Sequence, residues 1–243
     1  MIYHSARKII RKGLSEISLL KTRIAHYKGP HPLKVLVTGP PRSGTSFLAG
    51  LVARMGLSPG PSAWLNPADE HNRYGYYECL PILKVEEEIL KKLGGSYEAL
   101  PHFSEHWTSD FTAEKNRIRK TVVWGGIEVY KGNRLLVLAD LFQELFPETK
   151  WIMICRSEED TYRSEWGRIL TLGRWTELRK QRFDLWNQDR AARHCLDINY
   201  EDFHQDRFEA TRRVADFIGV SLSEEQLGKC ADFFRPLPRS HPT

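Results

Sequence analysis

Cysteine is scarce in this chain, and the four present (Cys79, Cys155, Cys195 and Cys230) are widely spaced, with no C-x-x-C. A disulfide framework is therefore not expected; Cys155 and Cys195 fall in apolar runs that read as buried strands, where cysteine behaves as a small hydrophobe. No run approaches the ~20 apolar residues of a membrane span. Met1–Lys28 lacks the compact apolar stretch and cleavage site of a secretory signal, so the chain is read as cytoplasmic. Internal repeats and low-complexity tracts are also missing. The excess of positive charge is modest, +5, with the basic residues scattered rather than striped. No nucleic-acid motif accompanies them, and an anionic cofactor fits this balance better than nucleic acid.

What is present is an ordinary soluble mixture, 41% hydrophobic and 28% charged over 243 residues. That length suits one domain, or one domain with a sizeable insertion, and is enough for a full core. The informative stretch is Lys34–Gly50. Lys34–Thr38 is a short β-branched apolar run that reads as a buried parallel strand. Gly39-Pro40-Pro41 breaks it, and Ser43-Gly44-Thr45-Ser46 opens a helix whose apolar face is Phe47, Leu48, Leu51 and Val52. A strand, a tight loop and a helix N-terminus aim backbone N–H groups and the positive end of a dipole at one point, which suits a phosphate. Arg42 adds a cation there, and Thr45 and Ser46 add hydroxyls. The spacing from Gly39 to Gly44 fits a nucleoside-triphosphate P-loop, but Thr45 stands where that motif has lysine.

Along the rest of the chain, residues 5–28 carry apolar side chains on one side (Ile9, Ile10, Leu14, Ile17, Leu20, Ile24) and many Lys/Arg on the other. This is the pattern of an amphipathic basic helix, packed on the body of the protein or laid on a membrane surface. Helices are expected at 44–56, 80–93, 134–145, 158–172, 175–193, 203–218 and 223–234. Strands are expected at 121–131, 150–156 and 195–201, besides the first. Residues 94–120 show no sustained period and read as an insertion. Strands alternating with helices predict an α/β fold: a central, mostly parallel sheet flanked by helices in three layers. Ligands bind such sheets at the carboxyl ends of strands. Arg42, Lys131, Arg156 and Tyr200 all sit at or just beyond expected strand ends.

Pro41-Arg42-Ser43-Gly44-Thr45-Ser46-Phe47 resembles the phosphosulfate-binding loop of the sulfotransferases that use 3′-phosphoadenosine-5′-phosphosulfate (PAPS). Cys155-Arg156, with Ser164 eight positions after the arginine, resembles that family's 3′-phosphate-binding segment. The chemistry agrees, since a guanidinium fork and a hydroxyl suit a doubly charged phosphate. Asn199-Tyr200-Glu201-Asp202-Phe203 resembles the strand end whose tyrosine lies beside the adenine, and Val129-Tyr130-Lys131-Gly132-Asn133-Arg134 a strand-end lysine motif. The proline usual in the family after Arg156-Ser157 is Glu158 here.

The resemblance covers about 34–235 and implies the P-loop-like sulfotransferase fold, with residues 1–33 an N-terminal helix and linker. It implies that residues 34–243 form the catalytic domain, with an irregular acceptor-side insertion at about 57–120. PAPS is then the co-substrate, with no metal required. Arg42, Ser43, Gly44, Thr45 and Ser46 would hold its 5′ end, Phe47 would stack on adenine, Arg156 and Ser164 would hold the 3′-phosphate, and Tyr200 would lie alongside. The acceptor is a hydroxyl or amine of a small molecule or saccharide. Lys131, with Arg42, would neutralise the leaving group.

The acceptor's proton needs a general base. Gly75-Tyr76-Tyr77-Glu78 resembles a segment of bacterial and carbohydrate-type sulfotransferases, which ranks Glu78 first, before Glu70, His71, His102 and His106. Two rivals remain in the same fold class: a P-loop kinase, disfavoured by Thr45 and by the lack of a clear magnesium carboxylate after a strand, and a non-catalytic nucleotide-binding protein. A third, zinc-dependent reading rests on His102-Phe103-Ser104-Glu105-His106, an H-x-x-E-H match that requires a helix.

Overall fold

The structure, a computed structural model, describes residues 32–69, 72, 74–104, 106–163 and 172–234. The basic stretch at 5–28, together with Glu70, His71, Glu105 and Ser164, lies outside these residues. Four parallel strands form the centre: β1 (Val35–Thr38), β2 (Val129–Lys131), β3 (Lys150–Cys155) and β4 (Cys195–Asn199), in the order β2-β1-β3-β4. Residues alternate between the two faces of the sheet, as the period of a strand dictates. Val35, Val37, Ile152 and Ile154 enter one core, whereas Leu36, Tyr130, Trp151 and Met153 enter the other. Near-continuous apolar strands are what a sheet covered on both faces requires.

The first layer consists of α1 (Thr45–Arg54), α7 (Tyr200–Gln205), α8 (Arg207–Ile218) and α9 (Glu224–Ala231). The second is built from α2 (Leu80–Lys92), α3 (Thr112–Gly125), α4 (Ala139–Leu145) and α6 (Leu172–Gln188); the short α5 (Glu158–Arg163) follows β3. Helix α1 buries Phe47, Leu48, Leu51 and Val52 against the sheet. Each such side chain contributes about 1.5–3 kcal/mol by its removal from water, and truncating Leu51 to alanine would cost about 2–5 kcal/mol. Gly56, at φ 103°, follows the last turn of α1 in the left-handed region. Among the described residues no helix is long and apolar enough to cross a membrane.

The order of the strands matters for function. From β1 the chain runs to its neighbour β2 on one side and then returns past β1 to β3 on the other. The β1/β3 junction is therefore the switch point, where the connections diverge and leave a crevice at the carboxyl edge.

Several local expectations change. The strand expected from Thr121 begins only at Val129, because Thr121–Gly125 completes α3. Its β-branched Thr121-Val122-Val123 mimics a strand, but Val122 and Ile118 are fully buried on one helical face and Gly126 ends the helix in the left-handed region at φ 55°. The insertion at 94–120 is not wholly irregular: a 3-10 turn spans Trp107–Phe111 and α3 begins at Thr112. Its period is masked because α3 also buries charge, Glu114 pairing with Lys92 and Lys115 with Glu144. The helix expected at 134–145 is divided into a 3-10 turn, Asn133–Leu136, and α4. Tyr200 and Glu201 open α7 rather than end β4, since Asn199 and Asp202 form a capping box there. All four cysteines are free.

Candidate active site

The loop from β1 to α1 is shaped by two glycines. A Cβ on Gly39 would lie 2.2 Å from the Ile154 carbonyl oxygen, so only glycine lets this loop cross β3 so closely. Gly44, at φ 100°, carries the aromatic ring of Tyr200 where its Cβ would be, 2.5 Å from Cδ2. Arg42 adopts the left-handed conformation at φ 66°, which an L residue other than glycine, asparagine or aspartate seldom takes. Ser43 is fully buried, and its hydroxyl has no hydrogen-bond partner. Helix α1 then starts on Gly44 with no side-chain cap. An orphan hydroxyl beside uncapped first-turn N–H groups is a cradle for an anion. Thr45 Oγ1 donates to Asn133 Oδ1 at 3.2 Å and so ties the loop to the segment after β2. Ser46 Oγ accepts from Asn72 Nδ2 at 2.9 Å and donates to the Tyr76 carbonyl at 3.4 Å.

A second cationic point follows β3. The guanidinium of Arg156 lies 4.8 Å from the centre of the Tyr200 ring, and its Nε is buried without a partner. Asp160 approaches only to 3.8 Å. The surrounding turn is held from two sides: Glu201 accepts the Ser157 N–H at 3.0 Å, and Arg179 Nη2 donates to the Arg156 carbonyl at 3.3 Å. Tyr200 thus touches both Gly44 and Arg156. Burial, with a smaller contribution from Tyr74, pushes its phenol up to about 12 against the pull of Arg156. It therefore stays a neutral phenol at physiological pH.

The third group lies at the end of β2. Lys131 Nζ donates to Glu78 Oε1 at 2.8 Å, and Asn66 Nδ2 donates to Glu78 Oε2 at 3.3 Å. An isolated bridge between Leu65 and Cys79 holds these two segments side by side. Thr38 Oγ1 donates to the Gly132 carbonyl at 3.0 Å, so the end of β2 is anchored to β1 where the loop begins. Behind Lys131, the hydroxyl of Tyr130 donates to Glu86 Oε1 at 2.8 Å. Glu86 is fully buried, and desolvation raises its carboxyl to about 8 despite Arg134 and Tyr130.

Arg42, Ser43, Gly44, Thr45, Ser46, Lys131, Arg156 and Tyr200 thus gather at one edge of the sheet, and Glu78 joins them through Lys131. Phe47 does not. It is 2% exposed and packed in the core between Phe203, Phe233 and Phe234, so its ring is not free to stack on a base. The reason is its place on the sheet-facing stripe of α1, beside Leu48 and Leu51. The zinc reading fails on geometry: residues 102–104 are not helical and His106 lies in a turn at φ 58°, so the two histidines do not share a helix face. Asn66, Asn133, Glu86 and Arg179 are additions. Asn66 stands in no motif, Asn133 lies in the Val129–Arg134 strand-end lysine segment, which gives it no role, and Glu86 had a signal, as a carboxylate on the buried face of α2.

The family model described as Sulfotransferase family matches residues 32–224, and the chain belongs to that family. It is a sulfotransferase, an enzyme, with the P-loop-like α/β fold. Among solved structures it is similar to sulfotransferase STF1 from Mycobacterium tuberculosis H37Rv, at 15% identity and a TM-score of 0.60, over 89% of this chain and 75% of that one. It is also similar to sulfotransferase STF9 from Mycobacterium avium, at 14% identity and a TM-score of 0.54, over 88% and 71% respectively. At such identities these likenesses speak to the fold alone. A search of curated protein sequences found no match.

Proposed function

We propose that the enzyme moves the sulfuryl group of PAPS to a hydroxyl or amine of a small-molecule or saccharide acceptor, leaving adenosine 3′,5′-bisphosphate. The observation that carries this reading is the Tyr200 ring shared by two anion cradles, Gly44 in the loop after β1 and Arg156 after β3. Two such points bridged by one aromatic ring suit a nucleotide with phosphates on both its 5′ and 3′ positions. The orphan Ser43 hydroxyl and the unpartnered Arg156 Nε are donors of the kind those phosphates need.

In this reading Arg42, Ser43, Gly44, Thr45 and Ser46 hold the 5′ end, Arg156 and Ser164 hold the 3′-phosphate, and Tyr200 lies beside the nucleoside. PAPS, when bound, supplies a sulfuryl group already activated on its 5′-phosphate. Glu78 takes the acceptor's proton as the new oxygen–sulfur or nitrogen–sulfur bond forms and the bond to the bridging oxygen breaks. Asn66 keeps Glu78 aimed during that transfer. Once Glu78 is protonated its hold on Lys131 weakens, and the ammonium is released to neutralise the departing oxygen, with Arg42. Residues 34–243 form the catalytic domain, and the segments at about 57–120 line the acceptor side.

Calorimetric titration of the wild type and Arg156→Ala with adenosine 3′,5′-bisphosphate, and separately with ATP–magnesium, tests the donor. Binding of the bisphosphate that is lost in the variant is the expected result; a preference for ATP–magnesium overturns the proposal. Transfer of labelled sulfate from PAPS to a panel of hydroxyl and amine acceptors then tests the reaction.

A further inference from the structure

Helices α2 and α3 border a groove of about 560 Å³ whose lining includes Trp64, Leu80, Trp124, Lys84, Arg117 and Lys120, none of which is assigned a part in holding the donor or in catalysis. Leu80 and Trp124 are 41% and 39% exposed, and they are two of the three large apolar side chains exposed among the described residues. Lys84 and Lys120 are exposed and form no ion pair among those residues; Arg117 pairs with Glu88. An apolar floor containing two tryptophans inside a rim of lysines has the chemistry of the bilayer interface. There, amphipathic rings settle at headgroup level and cations meet anionic lipid.

Strand β1 begins close to this groove. Trp64 packs directly on Gly125, where a Cβ would lie 2.9 Å from its ring. Three residues later the Glu128 carbonyl accepts the N–H groups of Lys34 and Val35, at 2.8 and 3.0 Å. Three residues span at most about 10 Å, so Lys34, at the start of β1, lies near the groove, and residues 1–31 precede it in the chain. Their sequence carries cations from Arg7 to Lys28 against a single carboxylate, Glu16. That charge has the same sign as the groove's rim, which disfavours the segment as the groove's own occupant and gives both elements the same partner.

We infer that the Trp64–Leu80–Trp124 groove, with its lysine rim, docks the enzyme on an anionic membrane surface. Each basic residue brought near an anionic leaflet multiplies the partition roughly fivefold. The test is flotation of the full chain with vesicles of phosphatidylcholine alone, and with phosphatidylcholine containing about one-third phosphatidylserine. The wild type is expected to float only with the anionic vesicles. The double variant Lys84→Glu/Lys120→Glu should lose at least roughly tenfold in partition, and Trp124→Ala should lose partition without any change in net charge. Arg212→Glu/Lys229→Glu, on α8 and α9, makes the same charge change elsewhere and should keep a clearly larger share of the wild-type flotation than the groove variant. Absence of flotation overturns the inference. So does flotation that falls equally in the two charge variants, which would assign binding to net charge or to residues 1–31 alone. Lys84 and Lys120 are exposed, so their variants should fold, and far-ultraviolet circular dichroism would verify this.

Discussion

Lys131 and Glu78 form an ion pair at 2.8 Å with only 2% and 13% of their side chains exposed. A pair so withdrawn from water costs more to break on one side than it gains while intact, about 3–5 kcal/mol when a partner is removed outright. Glu78→Gln keeps an oxygen for Lys131 and so separates chemistry from structure. Turnover should fall about 10²–10⁴-fold, while calorimetry should give unchanged affinity for adenosine 3′,5′-bisphosphate. A purely structural Glu78 would lower affinity and melting temperature together and leave the pH–rate profile unmoved.

Arg156→Ala should weaken adenosine 3′,5′-bisphosphate by about 10²-fold, the scale of losing a charge-assisted contact to phosphate. Affinity for adenosine 5′-monophosphate, which lacks the 3′-phosphate, should change little. Equal losses for both nucleotides would place Arg156 outside the 3′ subsite.

Gly44→Ala combines a positive φ with a collision against the Tyr200 ring. It should destabilise the fold by about 1–3 kcal/mol and abolish nucleotide binding. Gly56→Ala shares the positive φ, at 103°, but meets nothing within 4 Å, so it isolates the backbone part. Chemical denaturation of the two variants, side by side, measures the collision itself.

Burial of Glu86 makes the stability of the enzyme depend on pH. Its carboxyl titrates near 8 when folded and in the ordinary range, about 4.5, when unfolded. Between those values the folded state holds the extra proton, so stability falls as pH rises and levels off above about 8. The full effect is on the order of 5 kcal/mol. Glu86→Gln should flatten this slope and be the more stable protein at pH 8, which urea unfolding across pH 5–9 would show. A wild type that gains stability over that window would refute the assignment.

Phe47→Leu should lower stability by about 1 kcal/mol through repacking of its aromatic neighbours, with nucleotide affinity intact. Loss of affinity without loss of stability would return Phe47 to the adenine pocket.

These residues also show how much could be read before folding. The strand-end positions of Arg42, Lys131 and Arg156 were legible because a parallel sheet puts every strand's carboxyl end on one edge, and a short apolar run followed by glycine or arginine marks such an end. The pairing of Glu78 with Lys131 was not, since 53 residues separate them and only the Leu65–Cys79 bridge brings the first beside the second. Phe47 shows the opposite case: its neighbours in sequence follow a binding motif, but its period belongs to the core, where its ring is buried. The α3 helix escaped notice because Glu114 and Lys115 are buried by pairing with Lys92 and Glu144, so charge stands where a hydrophobic stripe should show.

Helix α1 begins on a bare glycine, with no side chain to satisfy its first turn. The Tyr200 ring, 2.5 Å from where a Cβ would stand, leaves no room for a capping side chain, so the first turn is left to whatever anion the loop receives. Ligand held at a hundred times its dissociation constant would add about 2.7 kcal/mol to the fold. Under the proposed donor, occupancy of this loop and stability of the fold are one linked equilibrium, so the melting temperature should climb as adenosine 3′,5′-bisphosphate is added.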